Sequence, residues 1–354
     1  MKKRIINLLN VGFCLLCFVI FLGGMLKSIL KPDDIMIQEN RTANKYAKFT
    51  IDKYLSSEFQ NNIEQVLSDQ IILAETMKNS YNFYNSNFKI YLNNIIFKDG
   101  CGKYIPLSND VFSFGCDGTL VSTSNNLSTG IDLLDSRIKL FNELIESNPK
   151  TSIYAYMVER DRDINFETKT KNNVYEYFRD NVNIKKSNIA RLSIDSFFEY
   201  QKYFYKIDHH WNYEGSKKGY EDIAKLLEPN SPNIISPDEL ICYDAKFGGS
   251  KSMGAGVQDI YKEKFCAYHY NLPNEKFVIN NKHGWLGYEM NQYKDFSYVT
   301  YGNFYGSDSG LIQITIDNNK GKDNLLIVSD SFSNAITTKI ATNFYNTYDI
   351  DLRA

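Results

Sequence analysis

Histidine is scarce in this chain, with four in 354 residues, and there are only two Trp. Zinc ribbons need clustered thiols at short spacing, and the single Cys-x-x-Cys, Cys14 with Cys17, lies inside an apolar run where small membrane residues are the ordinary reading. Excess positive charge is also missing. The formal net charge is −2, and four of the 40 basic residues sit in the first 30 positions, where no acidic residue occurs. The remainder is therefore mildly acidic, which argues against nucleic acid as a partner, since binding phosphate backbones needs a basic face. No repeat period is evident. The length fits one large domain or two small ones.

What is present begins with residues 5–26, apolar except for Asn7 and Asn10. At ~1.5 Å per residue such a helix just spans a hydrocarbon core of ~30 Å. Lys2, Lys3 and Arg4 place the N-terminus in the cytoplasm. The run exceeds the ~7–15 apolar residues of a cleaved signal and lacks a small-x-small site, so an uncleaved signal anchor is expected. Residues 1–30 are then a basic stub and membrane anchor, 31–48 a polar linker, and 49–354 an extracytoplasmic domain. Cys101, Cys116, Cys242 and Cys266 form an even set on that side. Cys101 with Cys116 and Cys242 with Cys266 are the simplest of three connectivities, and the first loop closure would be worth ~3 kcal/mol.

From a cap at Ser56 or Ser57, Phe59, Ile63, Val66, Leu67 and Ile71 fall on one helical face, with Glu64 and Asp69 off it. Residues 85–118 read as irregular or hairpin structure. Helices are expected over 128–148, 174–181 and 215–227, the last with Tyr220, Ile223, Ala224 and Leu227 inward, and strands over 152–158, ending at Glu159 and Arg160, and over 190–194. This rhythm is that of an α/β fold with a parallel sheet, whose ligands collect at the carboxyl ends of strands. Residues 229–323 are irregular, with Gly248, Gly249, Gly254, Gly256, Trp285 and a strand-like 311–316.

The chemistry concentrates at Asp208, His209, His210, Trp211 and Asn212. In a tight non-helical turn an Asp two positions before a His can hold its Nδ1 and leave Nε2 free as a base. The matching nucleophile is Ser331. Leu325, Leu326, Ile327 and Val328 read as a buried strand and 332–344 as a helix, so the serine sits at a strand-to-helix turn. Metal binding by Asp208, His209 and His210 is the weaker reading, because sequence neighbours rarely converge on one ion and His269 and His283 are remote. A purely structural histidine pair is the bland alternative. Trp211 is assigned to packing under the turn. Gly302, Asn303 and Gly306 are candidate oxyanion donors against a strong background of ordinary turn residues. Tyr is abundant, as are Asn, Lys and Ile, so no Tyr is assigned as a sugar platform.

The Asp-His-His-Trp block followed by a strand ending in Asp330-Ser331-Phe332 resembles the DHHW family, which is similar to the SGNH-hydrolase-like alginate O-acetylation proteins. Glu39-Asn40-Arg41 and Asp69-Gln70 also look familial. The resemblance implies an SGNH-hydrolase-like parallel sheet flanked by helices after one transmembrane helix. It also implies Ser331 as nucleophile, His210 as base and Asp208 as its orienting partner, with no cofactor or metal. The implied activity is O-acetyl transfer to a cell-surface polysaccharide, with acetyl groups delivered by a membrane-bound O-acyltransferase. An esterase using the same residues, or a non-catalytic surface-binding scaffold, are the alternatives. Two departures stand out: Ser329 replaces the usual Gly, and relatives continue beyond a similar Asp-Leu-Arg, so an edge element is expected to be absent.

Overall fold

A computed structural model describes residues 2–30, 32, 35–36, 41–70, 74–96, 102–108, 110–115, 117–123, 130–230, 232–257, 260–272, 276–279, 282–283, 298–305 and 310–351. The chain divides into two compact units, Met1–Leu92 with Met253–Ile260, and Asn93–Ser252 with Tyr261–Ala354.

In the first unit the helix Lys2–Leu30 contains a stretch, Leu9–Leu30, long and apolar enough to cross a membrane. Thr50 caps the one-turn helix Ile51–Leu55. The helix Glu58–Gln70 follows directly, with Val66 buried as its spacing requires. Asp69 departs from the expectation. It is buried, because its Oδ2 accepts both the backbone N–H and the side-chain amide of Asn44 at 2.9 Å. The next helix, Ala74–Ile96, runs through residues expected to be irregular. Each Asn costs a helix less than about 1 kcal/mol, so a run of them lowers the propensity without breaking the turn as Pro would.

The second unit opens with a three-stranded antiparallel sheet, Ile105–Ser108, Val111–Phe114 and Thr119–Val121. The helix Ile131–Ser147 precedes the strand Ala155–Val158, which pairs in parallel with Ile189–Leu192 across the helix Val174–Asn181. A five-stranded sheet runs in the order Lys282–His283, Lys276–Ile279, Ile312–Thr315, Asn346–Asp351, Leu325–Ser329. Its last pair is parallel and the others antiparallel. The class is α/β, as expected, with parallel pairing where a crossover joins the strands. Short connections such as that between Lys276–Ile279 and Lys282–His283 permit only antiparallel neighbours.

The stretch 332–344 is not one helix. It forms a 3-10 turn, Ser333–Ala335, and a single turn, Thr337–Ala341. The hydroxyls of Ser333 and Thr337 both bond the Asp349 carboxylate, and such side-chain bonds compete with a continuous helical ladder. No long helix dipole therefore points at Ser331.

Aromatic side chains fill the core beneath the site, Trp211, Tyr200, Phe204, Tyr205 and Tyr301 being almost wholly buried. The helix Tyr213–Leu227 buries Gly215, Gly219, Tyr220 and Ala224. A Cβ on Gly219 would lie 2.4 Å from the Trp211 ring, so glycine there is what admits the indole.

Cys242 and Cys266 face each other across the antiparallel pair Glu239–Cys242 and Cys266–His269 and form a disulfide. Cys101 and Cys116, like Trp285, lie outside the described residues. With a sequence separation of 24 the bridge is worth about 3.5 kcal/mol in the chain-entropy picture. The double substitution Cys242→Ser with Cys266→Ser is expected to lose that amount in urea unfolding. A loss under about 1 kcal/mol would mean that the unfolded chain is already constrained there.

Candidate active site

Phe204 and Trp211 form an isolated antiparallel bridge, with the Tyr205 N–H donating to the His210 carbonyl at 3.2 Å and the Asn212 N–H to the Tyr203 carbonyl at 2.8 Å. Asn212 closes the turn from below: its Oδ1 accepts from the Glu214 and Gly215 N–H groups as helix cap, and its Nδ2 donates to the Lys202 and Phe204 carbonyls. Asp208, His209 and His210 are thereby presented at the tip of a pinched, non-helical loop, as the spacing predicts.

Asp208 is buried, and both oxygens are engaged. Oδ1 accepts the His210 N–H at 2.9 Å and its Nδ1–H at 2.6 Å, and Oδ2 accepts the Ser250 N–H at 2.6 Å. Burial works against the charge, but the His210 ring and its hydrogen bond, with His209 and the Ser250 N–H, outweigh it and hold the carboxyl well below the usual carboxylate range. Because Nδ1 donates to Asp208, Nε2 of the neutral ring is the acceptor, and it lies 2.9 Å from Ser331 Oγ. The three residues predicted from the sequence are thus brought into one hydrogen-bonded chain, although 121 positions separate His210 from Ser331.

The His210 ring is held between two others. Tyr301 stacks on it at 3.8 Å, 4° from parallel, and His209 lies 3.8 Å away at 36°. Tyr301 is itself fixed by a hydrogen bond from the Trp211 indole at 3.1 Å. Phe332 packs 5.2 Å from the His210 ring centre. His209 turns its Nδ1 to Ser250 Oγ at 2.6 Å rather than to Ser331, and burial, with the neighbouring His210, pushes its pKa down to about 3. Asp208, His209 and His210 gather ligand atoms within 4.8 Å of one another, as a metal site requires. Both Asp208 oxygens, His210 Nδ1 and His209 Nδ1 are already committed to N–H or hydroxyl partners, which a cation would have to displace.

Ser331 follows the strand Leu325–Ser329, and the turn around it is pinned by Asp349. Ser329 Oγ donates to Asp349 Oδ1 at 2.8 Å and Ser333 Oγ to Oδ2 at 3.1 Å. Ser329 in the place of Gly is thus accommodated: its φ is not positive, so no glycine-only backbone is needed, and its hydroxyl supplies one of the pins. Gly302 and Asn303 lie in the one-turn helix Tyr301–Tyr305, with the Asn303 N–H donating to Thr300 Oγ1 at 3.1 Å, while Gly306 is outside the described residues.

A buried lysine and a half-buried glutamate support the turn from behind. Lys251 donates to Asp161 Oδ2 at 2.5 Å, to the Tyr200 hydroxyl at 2.6 Å and to the Leu120 carbonyl at 3.1 Å, which anchors the residue next to Ser250. Burial draws the Lys251 pKa down, and it also opposes the charge of Asp161, which Lys251 nonetheless holds below the usual carboxylate range. Glu263 Oε2 accepts the N–H groups of Lys206 and Ile207 at 2.8 and 3.3 Å, and burial raises its pKa to about 8. The unfolded chain releases that proton near 4.5. Over the window from 4.5 to about 8 the folded state holds a proton that the unfolded state has lost, so this group's contribution to stability falls as pH rises. Glu263→Gln is expected to flatten that decline between about pH 5 and about pH 8 in urea titrations. Equal declines in both proteins would show the carboxyl to be ionised in the fold.

Ser250, Tyr301, Lys251 and Glu263 were not singled out from the sequence. Nothing local marks them, since each reaches the loop or the serine through the tertiary fold.

No family model matches the chain, and no curated protein does. Solved structures do. Bacillus cereus PatB1, determined with a sulfonyl adduct, shares 18% identity over 69% of this chain and 85% of its own, with a TM-score of 0.50. A DHHW family protein from Eubacterium siraeum shares 16% identity over 70% of this chain and 84% of its own, also with a TM-score of 0.50. The fold is therefore the one that the Asp-His-His-Trp resemblance implied.

Proposed function

We propose that the chain is an SGNH-like O-acetyltransferase acting on a cell-surface polysaccharide, with Ser331 as nucleophile, His210 as general base and Asp208 as the group that orients and steadies its ring. The observation that carries this reading is the continuous bonding from Asp208 Oδ1 through His210 to Ser331 Oγ, at 2.6 and 2.9 Å. In the first half-reaction Ser331 Oγ attacks the acetyl carbonyl carbon of the donor while His210 Nε2 takes the hydroxyl proton. The bond to the leaving group breaks, that group takes the proton from His210, and acetyl-Ser331 remains. In the second, a sugar hydroxyl gives its proton to His210 and attacks the same carbon, and Ser331 Oγ leaves and recovers the proton. Asp208 stays ionised throughout, in keeping with its lowered pKa.

The apolar helix over Leu9–Leu30 supports anchoring in the cell membrane, with residues 49–354 outside the cytoplasm. Acetyl groups then have to cross the membrane on another protein, a membrane-bound O-acyltransferase. The fold likeness to PatB1, which was solved with a sulfonyl adduct, supports a sulfonyl fluoride as the first probe. In the test, full-length protein in detergent is treated with the probe and the Ser331 peptide is weighed. It is then given an activated acetyl ester with and without oligosaccharide. Labelled Ser331 and acetylated sugar are expected. Acetate release indifferent to sugar would point to an esterase, and an unmodified Ser331 to a non-catalytic scaffold.

A further inference from the structure

Beside this chemistry lies a cation that, among the described residues, has no direct ion pair, although the charges of Asp161 and Asp163 lie near enough to feel it. Arg160 follows the strand Ala155–Val158, at the carboxyl end where ligands of α/β sheets collect. Its guanidinium sits over the Phe332 ring at 5.9 Å, and that ring, next to Ser331, also packs against His210. The side chain is half-buried, yet among the described residues no acceptor lies within hydrogen-bond or ion-pair reach of it. The acids around it are all engaged elsewhere. Glu159 binds Arg191 and Lys171, Asp161 binds Lys251 and the Ser122 N–H, and Asp163 accepts the backbone N–H of Arg160 and the Asn172 amide. A partly desolvated guanidinium without a partner forgoes interactions that a planar anion would supply in bidentate form.

We propose that Arg160 determines specificity by binding a carboxylate or phosphate group on the acceptor glycan. This rests on the acyl-transfer reading of Ser331 and His210. The fork suits either anion, and placement over Phe332 sets the charge beside the nucleophile rather than on it, so its effect falls on which acceptor is held.

The test uses full-length protein in detergent at low salt, with calorimetric titration of a hexuronic acid oligosaccharide, its neutral methyl ester, and a neutral oligosaccharide with and without a terminal phosphate. Wild type is expected to favour at least one charged member over its neutral twin by tenfold or more, and the preferred pair tells carboxylate from phosphate. Arg160→Gln is expected to remove about tenfold or more of that preference, whereas Arg162→Gln, which deletes an exposed charge two positions away, retains it. Should Arg160→Gln fail to fold, Arg160→Lys carries the test, because it keeps the charge and loses the fork. No preference in wild type, or equal losses in the Arg160 and Arg162 variants, would overturn the proposal. Binding is read without turnover, so an unreactive Ser331 would sink the acyl-transfer reading while leaving this result distinguishable.

Discussion

Ser331→Ala is expected to lower turnover of an activated acetyl ester by on the order of 10⁴- to 10⁶-fold and to abolish sulfonyl labelling. Residual rate over water would come from binding and from whatever donors polarise the carbonyl. Stability should change little, because the Ser331 hydroxyl makes its bond to His210 Nε2 and the turn is pinned instead by Ser329, Ser333 and Asp349. The two readouts separate chemistry from folding. A variant that melts like wild type and retains more than about a tenth of its rate would remove Ser331 from the mechanism.

Asp208→Asn is the second large effect, expected at about 10⁴-fold in turnover. Oδ1 accepts two N–H groups from His210 and Oδ2 one from Ser250, so every surrounding group is a donor. An amide supplies only one acceptor oxygen. If that oxygen stays on His210, the new NH₂ meets the Ser250 N–H. If it turns toward Ser250, the NH₂ faces His210 Nδ1 and drives the ring proton to Nε2, the wrong tautomer for accepting from Ser331. The Ser331 bond would then be reversed rather than lost, and labelling by a sulfonyl fluoride should slow in parallel with turnover. A fall of less than tenfold in a folded variant would show that Asp208 is a structural acid only.

The parts of the site legible in the sequence were those written locally. Asp208 and His210 are two positions apart, and the strand before Ser331 is a run of four apolar residues. Ser250 and Tyr301, 42 and 90 positions beyond Asp208 and Trp211, carry no such mark, and their contacts appear only once the chain is folded. The helix Val174–Asn181 emerged at its predicted bounds because its period is clean. The segment after Ser331 did not, because the hydroxyls that break it bond to Asp349 on the neighbouring strand, which no local pattern records. The Asn-rich part of the helix Ala74–Ile96 from residue 85 onward was misread for the opposite reason, since weak propensity does not forbid a helix.

The ring closed by Cys242 and Cys266 contains both Ser250, whose N–H clamps Asp208, and Glu263, which holds the backbone N–H groups leading into that loop. Two struts of the loop that carries Asp208 and His210 therefore hang from one covalent closure. In a reducing compartment the closure is absent and the struts sit on a slack tether, so the order of biogenesis matters: oxidation precedes a fully braced His210. A chain produced in the cytosol as a recombinant should be assayed before and after air or glutathione oxidation, because a dormant preparation would otherwise be mistaken for an inactive protein.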